Sequence, residues 1–325
     1  MEGDLNTMNP NKRLRGFTRV VPMAIAAFSL IALSAAAQSS READGARLLK
    51  GAIDMHFHVD APSPDGSGAQ ATFATVRLAH SLGLRGLVLK NHYEPTATLV
   101  YHLRLEIPSF DLFGGIVMNR TNGGMNPAAV EYMATRVMGA PGKVVWMPAY
   151  DSEIESNPPY PKKPFVAVSK NGQLLPETKE VLSLIAKYRL VVASGHIAPE
   201  EALMVFREAR NLGVEHMIAT HAMDLAGKMS LDQMTEAAKL GAMIEFDFRN
   251  TLDEGGRRAD AIRKIGPEHC FISEFWTKAG PPREYGGLDG IGAFAEAMRA
   301  RGFTDHELDL MFKENPARVL GLPVR

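Results

Sequence analysis

The chain has 325 residues, 46% hydrophobic and 22% charged, which is enough apolar material for a large core and suits one large domain or two small ones. Its 36 basic residues face 37 acidic ones, a balance that argues against the basic surface by which proteins grip nucleic-acid backbones. A single cysteine, Cys270, excludes an internal disulfide and a thiolate zinc site, so metal ligands would have to be His, Asp, Glu or a modified Lys.

The N-terminus has the three parts of a secretory signal: a basic "NKRLRGFTR", an apolar "VVPMAIAAFSLIAL", and small residues at Ala35 and Ala37 ahead of Gln38. The apolar run is short for a bilayer span of ~20 residues, so export with cleavage is expected rather than anchoring. Residues 1–37 are thus expected to be removed. The mature chain would then work in a periplasm or outside the cell, with no membrane association after cleavage.

Beyond residue 37, short apolar runs ending in polar residues alternate with stretches of helical period, the pattern of successive βα units. Strands are expected near 52–59, 86–92, 112–119, 143–151, 190–197, 216–222, 242–249 and 270–276. Between them, "MSLDQMTEAAKLG" offers Ser230 as N-cap, Gln233 in capping-box position and Gly241 as the stop. "APEEALMVFREARNLG" begins with Pro199 and two glutamates and ends at Gly213. About eight such units match the ~250 residues of a (β/α)8 TIM-type barrel, so a single α/β barrel domain over 38–325 is expected. After strand four, Asn171-Gly172 between apolar stretches signals a hairpin.

The first strand, "GAIDMHFHVDAP", is unusual. With a period of two, Asp54, His56, His58 and Asp60 share one face, and Met55, Phe57 and Val59 the other. Of the ten histidines, His56, His58, His92, His196 and His221 fall at strand ends, whereas His80, His102, His216, His269 and His306 fall on helices or strand beginnings. The carboxyl ends of all strands of such a barrel meet on one face, where active sites are built. Neutral imidazoles converging there suit Zn2+ or a related divalent ion, and a catalytic site of this kind leaves a coordination position for water.

"IDMHFHVDAP", "SGHIAPEE", "ATHAMD", a carboxylate on strand eight and "NPARVLGL" together resemble the amidohydrolase superfamily of metal-dependent hydrolases. More narrowly, "GLRGLVLKNHYEPT" resembles an uncharacterised amidohydrolase-like branch. The resemblance implies one or two divalent metal ions, zinc first and Mn2+ or Fe2+ as alternatives, held by His56, His58, His196 and His221, with a strand-eight carboxylate activating water. The chain departs from the superfamily pattern twice. Strand eight presents Glu274 where Asp is usual, and Asp247 in "IEFDFR" is a competing carboxylate on a face shared with Glu245 and Arg249. Strand four lacks the lysine whose carboxylated form bridges two metals; Lys90 on strand two could supply that bridge, or be ion-paired with Asp54, Asp60 or Glu274. His92 is a further candidate ligand, as after strand two of polymerase-and-histidinol-phosphatase phosphoesterases.

Arg249, and Arg283 and Tyr285 in the loop after strand eight, are expected to meet a small-molecule substrate. The function expected is hydrolysis of an amide, ester or related bond by metal-activated water, with Glu274 or Asp247 moving the proton. The alternatives are a phosphoesterase and a non-catalytic periplasmic metal-binding protein. Nothing in the sequence fixes the oligomeric state, which leaves room for a homo-oligomer.

Overall fold

The computed structural model describes residues 37–60, 72–224, 227–251, 256–276 and 287–324. The expected cleavage segment, apart from Ala37, lies outside the described residues, as do Arg283 and Tyr285.

Eight parallel strands form one sheet in the order β1 (Ile53–His58), β2 (Gly86–Lys90), β3 (Asp111–Val117), β4 (Gly142–Trp146), β7 (Val191–Ala193), β8 (His216–Ala219), β9 (Ala242–Asp247), β10 (Cys270–Ser273). A helix follows each strand: α2 (Thr72–Ser81), α3 (Ala97–Glu106), α4 (Pro127–Thr135), α5 (Pro176–Lys187), α6 (Pro199–Asn211), α7 (Leu231–Leu240), α8 (Arg257–Ile265) and α9 (Leu288–Ala300). Residues 37–49 form a leading helix, α1, and α10 (Asp305–Asp309) and α11 (Asn315–Leu320) end the fold. This is the expected (β/α)8 barrel. Between β4 and α5, the hairpin β5 (Ser169–Lys170) and β6 (Gln173–Leu174) turns at Asn171 and Gly172, with φ of 51° and 74° as a two-residue hairpin turn requires.

The two ends of the sheet meet at a seam between β1 and β10. There the buried Asp54 carboxylate accepts the backbone N–H groups of Glu274 (3.0 Å) and Trp276 (2.7 Å) as well as that of His56 (3.0 Å). A side chain thus joins the strands where a backbone ladder would otherwise run.

Apolar packing falls into two layers. Met55, Val88, Val117, Val144, Trp146, Val191, Ile218 and Phe271 fill the barrel, stopped at its base by Ala317, Val319 and Leu320 of α11. The alternate strand residues, among them Leu87, Leu89, Val145, Val192 and Ile272, pack under the helices. Strict alternation was expected on β1, but its pairing with β2 shifts register between Asp54 and Phe57. Met55 consequently joins the inner layer and Phe57 the outer one, because an extra residue in a strand flips the faces that follow it.

Helix ends follow the sequence signals. Ser230 and Gln233 cap α7 reciprocally and Gly241 closes it with φ of 101°. α1 and α9 cross so closely that a Cβ on Gly45 or Gly292 would strike the backbone of Leu288 or Arg41. All eight barrel strands lie where expected, but several end earlier. The expected strand 190–197 stops at Ala193 because Gly195 takes a left-handed φ of 59° that turns the chain before His196.

Candidate metal centre

Every strand-end residue of interest lies on the carboxyl face of the barrel. Inward alternation brings Val88, Lys90 and His92 to one side from β2, and Met243, Glu245 and Asp247 from β9. His221 and Glu274 come one residue later than alternation alone would place them, after Thr220 and Ser273. Both have positive φ, 46° and 54°, a conformation that costs a non-glycine residue energy and clusters at functional sites.

The result is a convergence of imidazoles. Nε2 of His56, His58 and His221 lie 3.7, 3.4 and 3.5 Å from one oxygen of Glu274, Oε1. Carboxylates hold the far nitrogens of most of the ring set: His56 Nδ1 meets Glu245 at 2.6 Å, His58 Nδ1 and His92 Nδ1 each meet Asp60 at 3.0 Å, and His196 Nδ1 meets Glu155 at 2.7 Å. Such contacts fix ring orientation and tautomer and leave the opposite nitrogen for an ion. His196 Nε2 is buried with no hydrogen-bond partner among the described residues, as an atom intended for a ligand would be. The donor set, neutral imidazoles and carboxylates, fits a divalent transition metal.

Electrostatics point the same way. Burial, reinforced by the Lys90 charge, holds His56 well below its ordinary pKa and takes His92 to about 3. Burial also lowers His196, and holds His221 well down despite the attraction of Glu274. Those rings are neutral and ready to coordinate. His58 differs: burial pulls its pKa down, but the hydrogen bonds to Asp60 and Glu274 prevail and raise it. Burial opposes ionisation of Glu274, yet the hydrogen bond from His58 and the charge of the Arg249 guanidinium hold its carboxyl well below the usual range. Burial and the Glu274 charge raise Asp247 to about 7, and burial raises Glu245 to about 8.

Lys90 Nζ lies 2.8 Å from His56 Nε2. An ion pair with Asp54, Asp60 or Glu274 was one expectation; instead the amine meets an imidazole, while Asp54 is taken up by backbone N–H groups and Asp60 by His58 and His92. Burial lowers the Lys90 pKa against the attraction of Glu245 and Glu274.

His58, Lys90, His92, His196, His221, Asp247, Arg249 and Glu274 line one cavity of about 270 Å3, with His56 buried beneath it. Arg249 is bound to Glu274 Oε2 and approaches Asp247 at 3.7 Å. Four further residues shape the site. Tyr150 lines the cavity and stacks on His92 with ring centres 4.1 Å apart, Asp224 and Asn250 line the same wall, and Glu155 holds His196 from the turn after β4. Nothing periodic marks Glu155, in the irregular "DSEIESN"; Asp224 was visible in "ATHAMD", three residues after a candidate ligand.

A model of a family of unknown function, DUF6282, matches residues 51–245, more than half of the chain. The chain belongs to that family. The matched stretch carries His56, His58, Lys90, His92, His196 and His221 and ends before Asp247 and Glu274. No curated protein matches the chain. Among solved structures, the fold is similar to that of an organophosphorus hydrolase from Deinococcus radiodurans (TM-score 0.55, 14% identity, 85% of this chain and 94% of that one). It is also similar to an amidohydrolase from Pseudomonas aeruginosa (0.54, 13%, 85% and 98%) and to dipeptidase AC, a metallopeptidase (0.51, 13%, 83% and 98%). The DUF6282 chain thus shares its barrel fold with these three structures.

Proposed function

We propose that this DUF6282 protein is a metal-dependent hydrolase of the amidohydrolase type, acting on an amide, ester or related bond of a small molecule. The observation that carries the proposal is the meeting of three imidazole Nε2 atoms with Glu274 Oε1, at 3.4 to 3.7 Å, on the carboxyl face of the barrel. His56, His58, His221 and Glu274 would hold one divalent ion, zinc by preference for this ligand set. His196, with its free Nε2, would serve a second ion where Lys90 is carboxylated, since carboxylation turns the amine beside His56 into an oxygen donor. A divalent ion there supplies Lewis-acid polarisation of the scissile group and a nucleophile at neutral pH.

The chain's own groups divide the remaining work. Glu274 is bound through Oε2 by Arg249, which fixes Oε1 toward the imidazoles. Asp247, with a pKa of about 7 and a carboxylate oxygen clustered with His221 and Glu274, is the better proton acceptor, since a base works best when its pKa lies near the operating pH. The cavity of about 270 Å3 falls just below the ~300 Å3 lower end of pockets for drug-sized ligands, which favours a small substrate. The proposed place of action is outside the cytoplasm, after loss of residues 1–37; this rests on the signal pattern alone.

The test is turnover of a panel of amides, esters and lactones by zinc-loaded protein, with Asp247→Asn as control. Hydrolysis lost in that variant at unchanged metal content supports the assignment. A panel without turnover by protein that carries its metal would contradict it.

A further inference from the structure

Asp224 follows His221 by three residues, in the turn after β8, and lines the same cavity. Its two oxygens have different surroundings. Oδ1 is bound by the buried Arg258 guanidinium of α8 and approached at 3.4 Å by the Asn250 amide. Oδ2 is buried and has no hydrogen-bond partner among the described residues, in a side chain that is only 10% exposed. A buried carboxylate oxygen left without a donor, in a side chain that lines a cavity, is incomplete until a ligand supplies one.

The surroundings define that donor. Asn250 Nδ2 stands 3.4 Å from Asp224 Oδ1 and 3.4 Å from Asp247 Oδ2, so one side-chain amide ties Asp224 to the carboxylate beside His221 and Glu274. Arg258 is bound to Asp224, and Arg249 is bound to Glu274 and stands 3.7 Å from Asp247, so three carboxylates share two guanidiniums on this wall and the balance is acidic on the side of Asp247. A cationic nitrogen donor gains both the hydrogen bond to Asp224 and the attraction of Asp247, whereas a neutral hydroxyl gains the first alone.

We infer that Asp224 is a specificity-determining residue that receives an amino group carried by the substrate close to its scissile carbonyl. The substrate class is then small amino-substituted acyl compounds. This deepens the metal-centre proposal and rests on it, because the carbonyl end must be held at the imidazole cluster while the amino end reaches Asp224.

The test is equilibrium binding of three metal-directed probes to the zinc-loaded chain: propanohydroxamic acid and its 2-amino and 3-amino derivatives. At least one amino derivative should bind roughly 10-fold or more tightly than the parent. Asp224→Asn, which keeps the shape and the contact to Arg258, should bring that derivative's affinity down to the parent's, with zinc content and thermal midpoint measured alongside. Equal affinities of all three probes in the wild type, or a preference that survives Asp224→Asn, would overturn the Asp224 assignment alone. Binding of none of the probes would overturn it together with the metal centre on which it rests.

Discussion

Asp54 on β1 accepts the backbone N–H of Glu274 beyond β10, at 3.0 Å, across the seam where the barrel closes. The same carboxylate accepts from His56 and Trp276, so one buried side chain fixes the backbone of two candidate ligands from opposite ends of the sheet. It also holds Glu274 in its left-handed conformation. Asp54→Ala would strand these donors in a dry seam at about 1–3 kcal/mol each. A loss of roughly 3 kcal/mol or more is expected in denaturant unfolding of the metal-free protein, and clearly less for Asp54→Asn, whose amide oxygen still accepts. A loss of under about 1 kcal/mol in Asp54→Ala would contradict the closing role.

Metal uptake should release a proton from His58. Its pKa is raised in the metal-free fold by Asp60 and Glu274 in spite of burial, whereas His56 and His221 are already neutral. A raised folded-state pKa means that the proton's stabilising contribution is complete below the unfolded value of about 6.5 and disappears as pH rises through the folded value. A metal ion competes with that proton, so apparent affinity should rise with pH across the same window and then level off. Calorimetric titration with zinc in buffers of different ionisation enthalpy checks it. Buffer-independent heats near neutral pH would count against the assignment.

Glu155 should act through His196. Removing the carboxylate that holds Nδ1 leaves the ring's orientation to chance, and losses of about 10–100-fold in metal affinity are usual for such partners. Glu155→Ala should therefore show weakened retention of the second zinc equivalent in chelator competition with bicarbonate present, with little change in circular dichroism. Unchanged retention would show that His196 needs no such support.

The barrel was legible because buried parallel strands read as short apolar runs, and all eight stand where those runs do. The convergence of His56, His58, His92, His196 and His221 followed from topology, since strand ends meet on one face. Local conformation was less visible. The register shift after Asp54 splits Met55 from Phe57, and the left-handed backbone at His221 and Glu274 aims side chains that a period of two does not. Glu155 lies in a loop without periodicity, and the meeting of Lys90 with His56 depends on how far a long flexible side chain folds back.

Lys90 should govern the second ion. Carboxylation would turn the amine that meets His56 into an oxygen donor, so metal-free protein reconstituted with zinc should take up a second equivalent when bicarbonate is present and stop at one without it. Lys90→Ala should stay at one under both conditions. A bicarbonate-independent second equivalent would remove Lys90 from the metal centre.

The central claim is that His56 and His58 belong to a site that binds a divalent metal, and metal content per chain is its most direct test. Protein purified without chelators or a histidine tag should carry at least one equivalent of divalent metal. In His56→Ala/His58→Ala that metal should be absent while the fold is retained, since apolar layers rather than the ion hold the barrel. A metal-free wild type that binds no added zinc, or a double variant with undiminished metal, would contradict the account.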